Sequence, residues 1–216
     1  YAMEYELIEQ NYSRNLKKSR VIDVAATQVQ KKHIIFTDEE MQTLWNHVYD
    51  TPYDDYIIIQ CYSGWRPQEL GLLKISDVDL EKWTITGGMK TESGMNRIVP
   101  IHTKIRDLVK RQYDKAVASE SEYLFYCFDS RSKNDLFLNY GAYRRRFINV
   151  INDLGLNPDH RAHDPRKQFA TMCKRYNVDE YAIKYMIGHA INDITEKVYT
   201  TRSEEWLAEE IEKIKL

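Results

Sequence analysis

Between Trp83 and Ile101 the apolar residues stop recurring at helical spacing and begin to alternate. Trp83, Ile85 and Met89 alternate with Thr84, Thr86 and Lys90, a Glu92-Ser93-Gly94 turn follows, and Arg97-Ile98-Val99-Pro100 runs back. Side chains repeat every two residues along a strand and every 3.6 along a helix. The stretch is therefore expected to form a β-hairpin with Lys90 near its tip. Nearly everything around it keeps the helical period. That combination points to a mainly α fold with one small antiparallel sheet, in the α+β class.

The helices can be placed by their ends. Thr37-Asp38-Glu39-Glu40 reads as a cap, with Met41, Leu44, Trp45 and Val48 following at core spacing. A second helix is expected from Pro52, apolar through Ile57, Ile58, Ile59 and Cys61 and stopping at Ser63-Gly64. Pro67 opens a short third one carrying Glu69, Leu70, Leu72 and Leu73. After the hairpin, helices are expected at about 103–118, 139–154, 164–176, 179–187 and 193–200, then an amphipathic stretch at 203–214. Asp164-Pro165 reads as an N-cap and first helical residue, with Phe169, Met172, Cys173 and Tyr176 on the buried face.

The 216 residues, 43% of them hydrophobic, suffice for one substantial core. No apolar run approaches the ~18 residues of a membrane span, and no basic segment followed by an apolar one opens the chain as a signal peptide would. Cys61, Cys127 and Cys173 lie far apart without a CxxC, which suggests reduced, partly buried thiols in a cytosolic protein and no zinc site. The net charge of −2 argues against a nucleic-acid binder, but its distribution matters more. Residues 142–175 hold Arg144, Arg145, Arg146, Arg161, Arg166, Lys167, Lys174 and Arg175 against Asp153, Asp159 and Asp164. The segment from Ser203 onward is acidic. One basic face fits this pattern; so does a set of solvated helix faces.

Four places put polar residues at the ends of elements. In "SGWRPQEL", Arg66 sits between a Gly stop and a Pro start. In "GGMKTESG", Lys90 sits at a hairpin tip, where a lysine often serves only to discourage edge pairing. In "AHDPRKQFATMCKRY", His163 and Arg166 lie off the buried face, near the positive end of a helix dipole, a place suited to an anion. In "MIGHAINDITEKVYTTR", Gly188 closes a helix and leaves His189 in a loop. Asp193 and Glu196 then read as a capping box for a short helix with Val198 and Tyr199. Each place taken singly also has an ordinary structural reading.

Together they form an inventory for attack on a phosphodiester. A tyrosine has a pKa of about 10, so keeping it as phenolate at pH 7 costs on the order of 4 kcal/mol. Nearby cations lower that cost and a histidine takes the proton. Charge building on the phosphate oxygens suits forked arginine donors. A lysine can supply the proton that the departing sugar oxygen needs. No paired carboxylates are required, and so no metal.

The order and local sequence of these segments resemble the tyrosine recombinase (phage and transposon integrase) family. "GWRPQELGLLKISDVD" matches its first arginine box, "KTESGMNRIVPIH" its lysine hairpin, "HDPRKQFAT" its His-x-x-Arg box and "MIGHAINDITEKVYT" its Gly-His…Tyr segment. The resemblance implies that Arg66, Lys90, His163, Arg166 and His189 activate the phosphate, that Tyr199 is the nucleophile, and that Glu69 orients the site. It implies a helical catalytic domain over 34–216 with a helical tail and a three-stranded sheet. Residues 1–33 would then be a linker or the remnant of an upstream DNA-binding domain. Two departures stand out: Pro165 replaces an apolar residue, and Lys167-Gln168 replaces the usual His-Thr. The implied partner is double-stranded DNA, in the bacterial cytosol, for a bacterial or phage protein with no membrane and no cofactor. Strands would be exchanged through a 3′-phosphotyrosyl link, with self-assembly into a dimer or tetramer on the DNA. The 203–214 stretch, with Trp206, Leu207, Ile211 and Ile214, would pack either between protomers or on its own core. Two rivals remain: a type IB topoisomerase, which relaxes supercoiled DNA by the same chemistry, and a non-catalytic DNA-binding regulator with this fold.

Overall fold

A computed structural model describes residues 33–89, 94–128, 135–191 and 203–215. Helix α1 spans Asp38–His47 and α2 spans Asp54–Ser63. Thr37 caps α1: its hydroxyl accepts from the Glu40 amide, and the Glu40 carboxylate accepts from the Thr37 amide. Every residue of α2 is buried, as befits a helix that is apolar on nearly all sides. It runs through the middle of the molecule, packed on α1 and on α4 (Arg106–Ala118), α5 (Tyr140–Asp153) and α6 (Asp164–Arg175).

Helix α2 starts two residues later than Pro52 implies, because Tyr53 takes a left-handed conformation (φ 70°) just before it. It ends at Gly64, also left-handed (φ 68°). A Cβ there would stand 2.4 Å from the Phe169 ring, so conformation and space both require glycine. The short α3 (Pro67–Leu70) stops before Leu72 and Leu73. The chain is drawn off instead by main-chain pairing, with the Leu73 carbonyl accepting from Leu124 and Lys74 bridging to Tyr123.

The hairpin is present, with β2 (Thr84–Gly87) antiparallel to β3 (Arg97–Pro100) in the register Thr84↔Pro100 to Gly87↔Arg97. Strand β2 begins after Trp83, which is left-handed (φ 55°). A two-residue strand, β1 (Val78–Asp79), pairs with β2 and completes a three-stranded sheet in the order β1-β2-β3. A separate pair, β4 (Tyr126–Phe128) and β5 (Asp135–Phe137), falls where the sequence suggests no element.

Helix α6 begins one residue earlier than the capping pair suggests: His163 is the N-cap and Asp164 the first helical residue. The Asp164 carboxylate is fully buried and caps nothing within its helix. It accepts from the Arg161 amide at 2.8 Å and meets His33 Nδ1 at 2.6 Å and His160 Nδ1 at 3.5 Å. Lys167 and Gln168, which stand where the family usually has His-Thr, also hold the segment that leads into α1. The Gln168 side chain accepts from the Phe36 amide, and Lys167 Nζ donates to the His33 carbonyl.

Helix α7 spans Glu180–Met186 and α8 spans Glu204–Ile211. Leu207, Ile211 and Ile214 are buried against the molecule's own core, where α8 touches β3. His102 Nε2 meets the Ile214 carbonyl at 2.9 Å, and the Glu210 carboxylate accepts from the Asp179 amide. Of the two alternatives for the tail, packing on its own core is the one seen. Cys61 and Cys173 are free and buried. No helix among the described residues is long and apolar enough to cross a membrane. The expected helix at 193–200, with Asp193, Glu196 and Val198, lies outside the described residues.

Candidate active site

Pro67 holds the residue before it in extended backbone, so Arg66 (φ −67°, ψ 149°) stands at the mouth of α3. One turn on, the fully buried Glu69 carboxylate reaches back, accepting from the Arg66 amide at 2.9 Å and from Arg66 Nη1 at 2.7 Å. The bend before Arg66 is fixed from inside, where Gln60 Nε2 donates to the Trp65 carbonyl at 2.8 Å and Tyr143 donates to Gln60 Oε1. Glu69 is thus bonded to both the amide and the guanidinium of the first arginine.

A second arginine shares that carboxylate. Arg97 lies on the inward register of β3, one strand repeat from Val99, with a side chain 1% exposed. Its Nη2 is 2.7 Å from Glu69 Oε2 and its Nη1 is 3.3 Å from Oε1, a forked pair. Nη1 also donates to the Gly94 carbonyl at 2.7 Å, Nε to the Met186 carbonyl at 2.9 Å, and the guanidinium lies 4.2 Å from the Trp65 ring centre.

Arg166 comes from the first turn of α6. Nη1 donates to the Gly64 carbonyl at 2.7 Å and Nη2 to the Ile187 carbonyl, so the group is pinned between the ends of α2 and α7. Each terminal nitrogen keeps a second hydrogen for another acceptor. Glu69 Oε2 is 4.0 Å from Nη1. Burial, then the nearby Arg66 charge, pulls the Arg166 pKa down to about 10, with Arg97 adding to the effect and Glu69 opposing it.

Both predicted histidines lie within electrostatic reach of this group of cations, each with its imidazole partly shielded from water. His163 precedes α6. Its pKa is lowered by burial and then by His33, Arg166 and Arg66. His189 follows Gly188, whose left-handed φ of 63° turns the chain out of α7. Its pKa is lowered by burial and then by Arg166, Arg66 and Arg97. Burial works to raise the Glu69 carboxyl, but hydrogen bonds and charge from Arg97, followed by the bonds from Arg66, hold it below the usual carboxylate range.

Arg66, His163, Arg166, His189 and Glu69 thus share one locality, although 123 positions separate the first from the last (189 − 66). Lys90 and Tyr199 lie outside the described residues. Arg97, which ties the group together, was not among the residues singled out from the sequence. Counting in twos back from the buried Ile101 and Val99 would have put it on the core face. Among the described residues, no group of three or more His, Cys, Asp or Glu side chains is arranged to hold a metal ion.

The family model of the phage integrases matches residues 34–205, most of the chain and all the segments just described. The chain belongs to the phage integrase family. Its fold matches that of XerA recombinase with a TM-score of 0.63 at 25% identity, covering 82% of this chain and 63% of that one. The Tn1549 transposon integrase, solved with circular intermediate DNA, matches with a TM-score of 0.62 at 17% identity over 95% of this chain and 71% of that one. The integrase of mycobacterium phage Brujita matches with a TM-score of 0.63 at 17% identity over 87% and 60%. The chain spans less than two thirds of the length of XerA. No curated protein matches the sequence. The architecture is that of a tyrosine recombinase catalytic domain, mainly helical with a three-stranded antiparallel sheet.

Proposed function

We propose that this chain is the catalytic part of a site-specific DNA recombinase that cleaves and rejoins strands through Tyr199. The observation that carries the reading is the gathering of Arg66, Arg97 and Arg166 on the one carboxylate of Glu69, with His163 and His189 within electrostatic reach of those arginines. Such an excess of positive charge calls for an anion, and a phosphodiester supplies one without bringing in a metal. Arg66 and Arg166 would hold the non-bridging oxygens, each worth on the order of 3 kcal/mol in the transition state. His163 would accept the phenol proton, His189 would steady the phosphate, and Lys90 would protonate the leaving oxygen. The Tyr199 oxygen then bonds to phosphorus, the bond to the 5′ oxygen breaks, and a 3′-phosphotyrosyl link keeps the energy needed for rejoining.

Two structural relatives are described as DNA complexes: the Tn1549 integrase with circular intermediate DNA and XerH with its difH substrate. Double-stranded DNA is accordingly the partner proposed here, with self-assembly on it and action in the cytoplasm of a bacterium or phage-infected cell. Residues 34–216 would form the catalytic domain, and residues 1–33 a linker or the remnant of a preceding DNA-binding domain.

The test is a nicked suicide duplex carrying a cognate site. The protein should become covalently attached, and Tyr199→Phe should abolish the adduct. An adduct that survives and maps to Tyr181 or Tyr185 would overturn the assignment of the nucleophile. Relaxation of supercoiled plasmid without strand exchange would move the chain to the type IB topoisomerases.

A further inference from the structure

We propose that Arg97 is a positioning residue for leaving-group protonation: it fixes the hairpin that carries Lys90 to the Glu69 carboxylate and to the end of α7. The inference rests on the strand-cleavage reading above. Arg97 reaches three elements at once: Glu69 on α3, the Gly94 carbonyl on the returning arm of the hairpin, and the Met186 carbonyl at the end of α7. The space around it is shaped for this. A Cβ on Gly188 would lie 3.0 Å from Arg97 Nη1 and 3.0 Å from Gly94 Cα, so hairpin and α7 terminus meet at the guanidinium with no room to spare. Glu69 Oε1 also takes the Met89 amide at 3.4 Å, on the outgoing arm beside Lys90. The two arms of the hairpin are thus tied to one ion pair, by Met89 on one side and Gly94 on the other.

An arginine is needed for this rather than any cation. A lysine can replace the charge opposite Glu69, but a single ammonium cannot span a carboxylate and two carbonyls on different elements. A buried salt bridge costs desolvation and adds little stability by itself, so its use here lies in fixing a register. A misplacement of about 1 Å at a reacting group can cost on the order of 100-fold in rate.

The test is Arg97→Lys in the full chain, read as single-turnover cleavage of two cognate suicide duplexes. One carries the ordinary oxygen leaving group. The other carries a 5′-bridging sulfur, which departs without needing a proton. On the oxygen substrate the variant should be about 100-fold slower than wild type. On the sulfur substrate it should fall within about threefold, with non-covalent DNA affinity within about twofold, because the proton donor is what has moved. An equal loss on both substrates would overturn the proposal and leave Arg97 a purely structural residue. Should Arg97→Lys fail to fold, Glu69→Gln with Arg97→Gln removes both buried charges together and is compared with Glu69→Gln alone. Its additional loss should again be confined to the oxygen substrate, and an additional loss on both would overturn the proposal. If wild type forms no adduct on either duplex, the strand-cleavage reading itself fails, a result distinct from all of these.

Discussion

Arg166 gives its anchoring hydrogen bonds to the carbonyls of Gly64 and Ile187, and Arg97 gives two of its own to Gly94 and Met186. Carbonyls fix a guanidinium in place without neutralising it. One carboxylate therefore serves three arginines, and the surplus charge is felt by both imidazoles. Each is shifted below 6.5 by burial and then by neighbouring cationic groups, so the neutral form persists to lower pH than in an isolated histidine. A general base must be neutral to act. The acid limb of the cleavage-rate profile is accordingly expected to lie below pH 6.5, and Arg66→Gln, which removes one of the depressing charges, should move it upward. Single-turnover rates from pH 4.5 to 8 measure this; a limb at or above 6.5 in wild type would contradict it. Arg66, His163, Arg166 and His189 could be found in the sequence because each follows or precedes a Gly, Pro or cap that breaks the helical period. Arg97 has no such marker. It occupies an inward strand position that sequence patterns normally give to an apolar residue, and what makes it acceptable there lies at Glu69, Gly94 and Met186, on three other segments.

At the scale of elements, α2 shows both what local pattern reveals and what it hides. Its apolar run and its Gly64 stop are written in the sequence, as are the ends of α4, α5 and α7 to within a few residues. Strands β1, β4 and β5 hold two or three residues each, too few to display a period. Asp54 and Asp55, which resemble ordinary first-turn acids, are buried. Neither Asp54 oxygen has a hydrogen-bond partner among the described residues, and burial, then the Asp55 charge, pushes its pKa up to about 8. The folded protein thus keeps a proton that the unfolded chain gives up near 3.9. Where the folded state binds the extra proton, stability falls as pH rises; here that window runs from about 4 to about 8, and above it the loss is complete. Asp54→Asn has no proton to lose. It should melt close to wild type at pH 4.5 and be more stable by on the order of 5 kcal/mol at pH 9. Thermal denaturation at the two pH values measures the difference, and a gain that does not grow with pH would show that Asp54 is ionised in the fold.

At the scale of the molecule, both ends of the described chain close over the core that carries the site. The lead-in at His33–Phe36 is held by Asp164, Lys167 and Gln168, on the same two turns of α6 that present His163 and Arg166. The tail is held by Leu207, Ile211 and Ile214 beneath α8, and the Ile214 carbonyl meets the buried His102. Burying an aliphatic side chain contributes about 1.5–3 kcal/mol, so these three amount to on the order of 6 kcal/mol. A domain of this kind has about 5–15 kcal/mol in total. Ending the chain at residue 202 should therefore unfold it or lower its melting temperature by more than 10 °C, and Ile211→Ala alone should cost about 2–5 kcal/mol. Both effects should be independent of protein concentration, because the contacts are made within one chain. A tail that docked on a neighbouring protomer would behave otherwise: its removal would leave the dilute monomer's melting temperature unchanged, and wild type would melt higher as concentration rose. Melting curves over a hundredfold range of concentration, with and without residues 203–216, separate the two arrangements, and a concentration-dependent wild-type transition would count against packing within the chain.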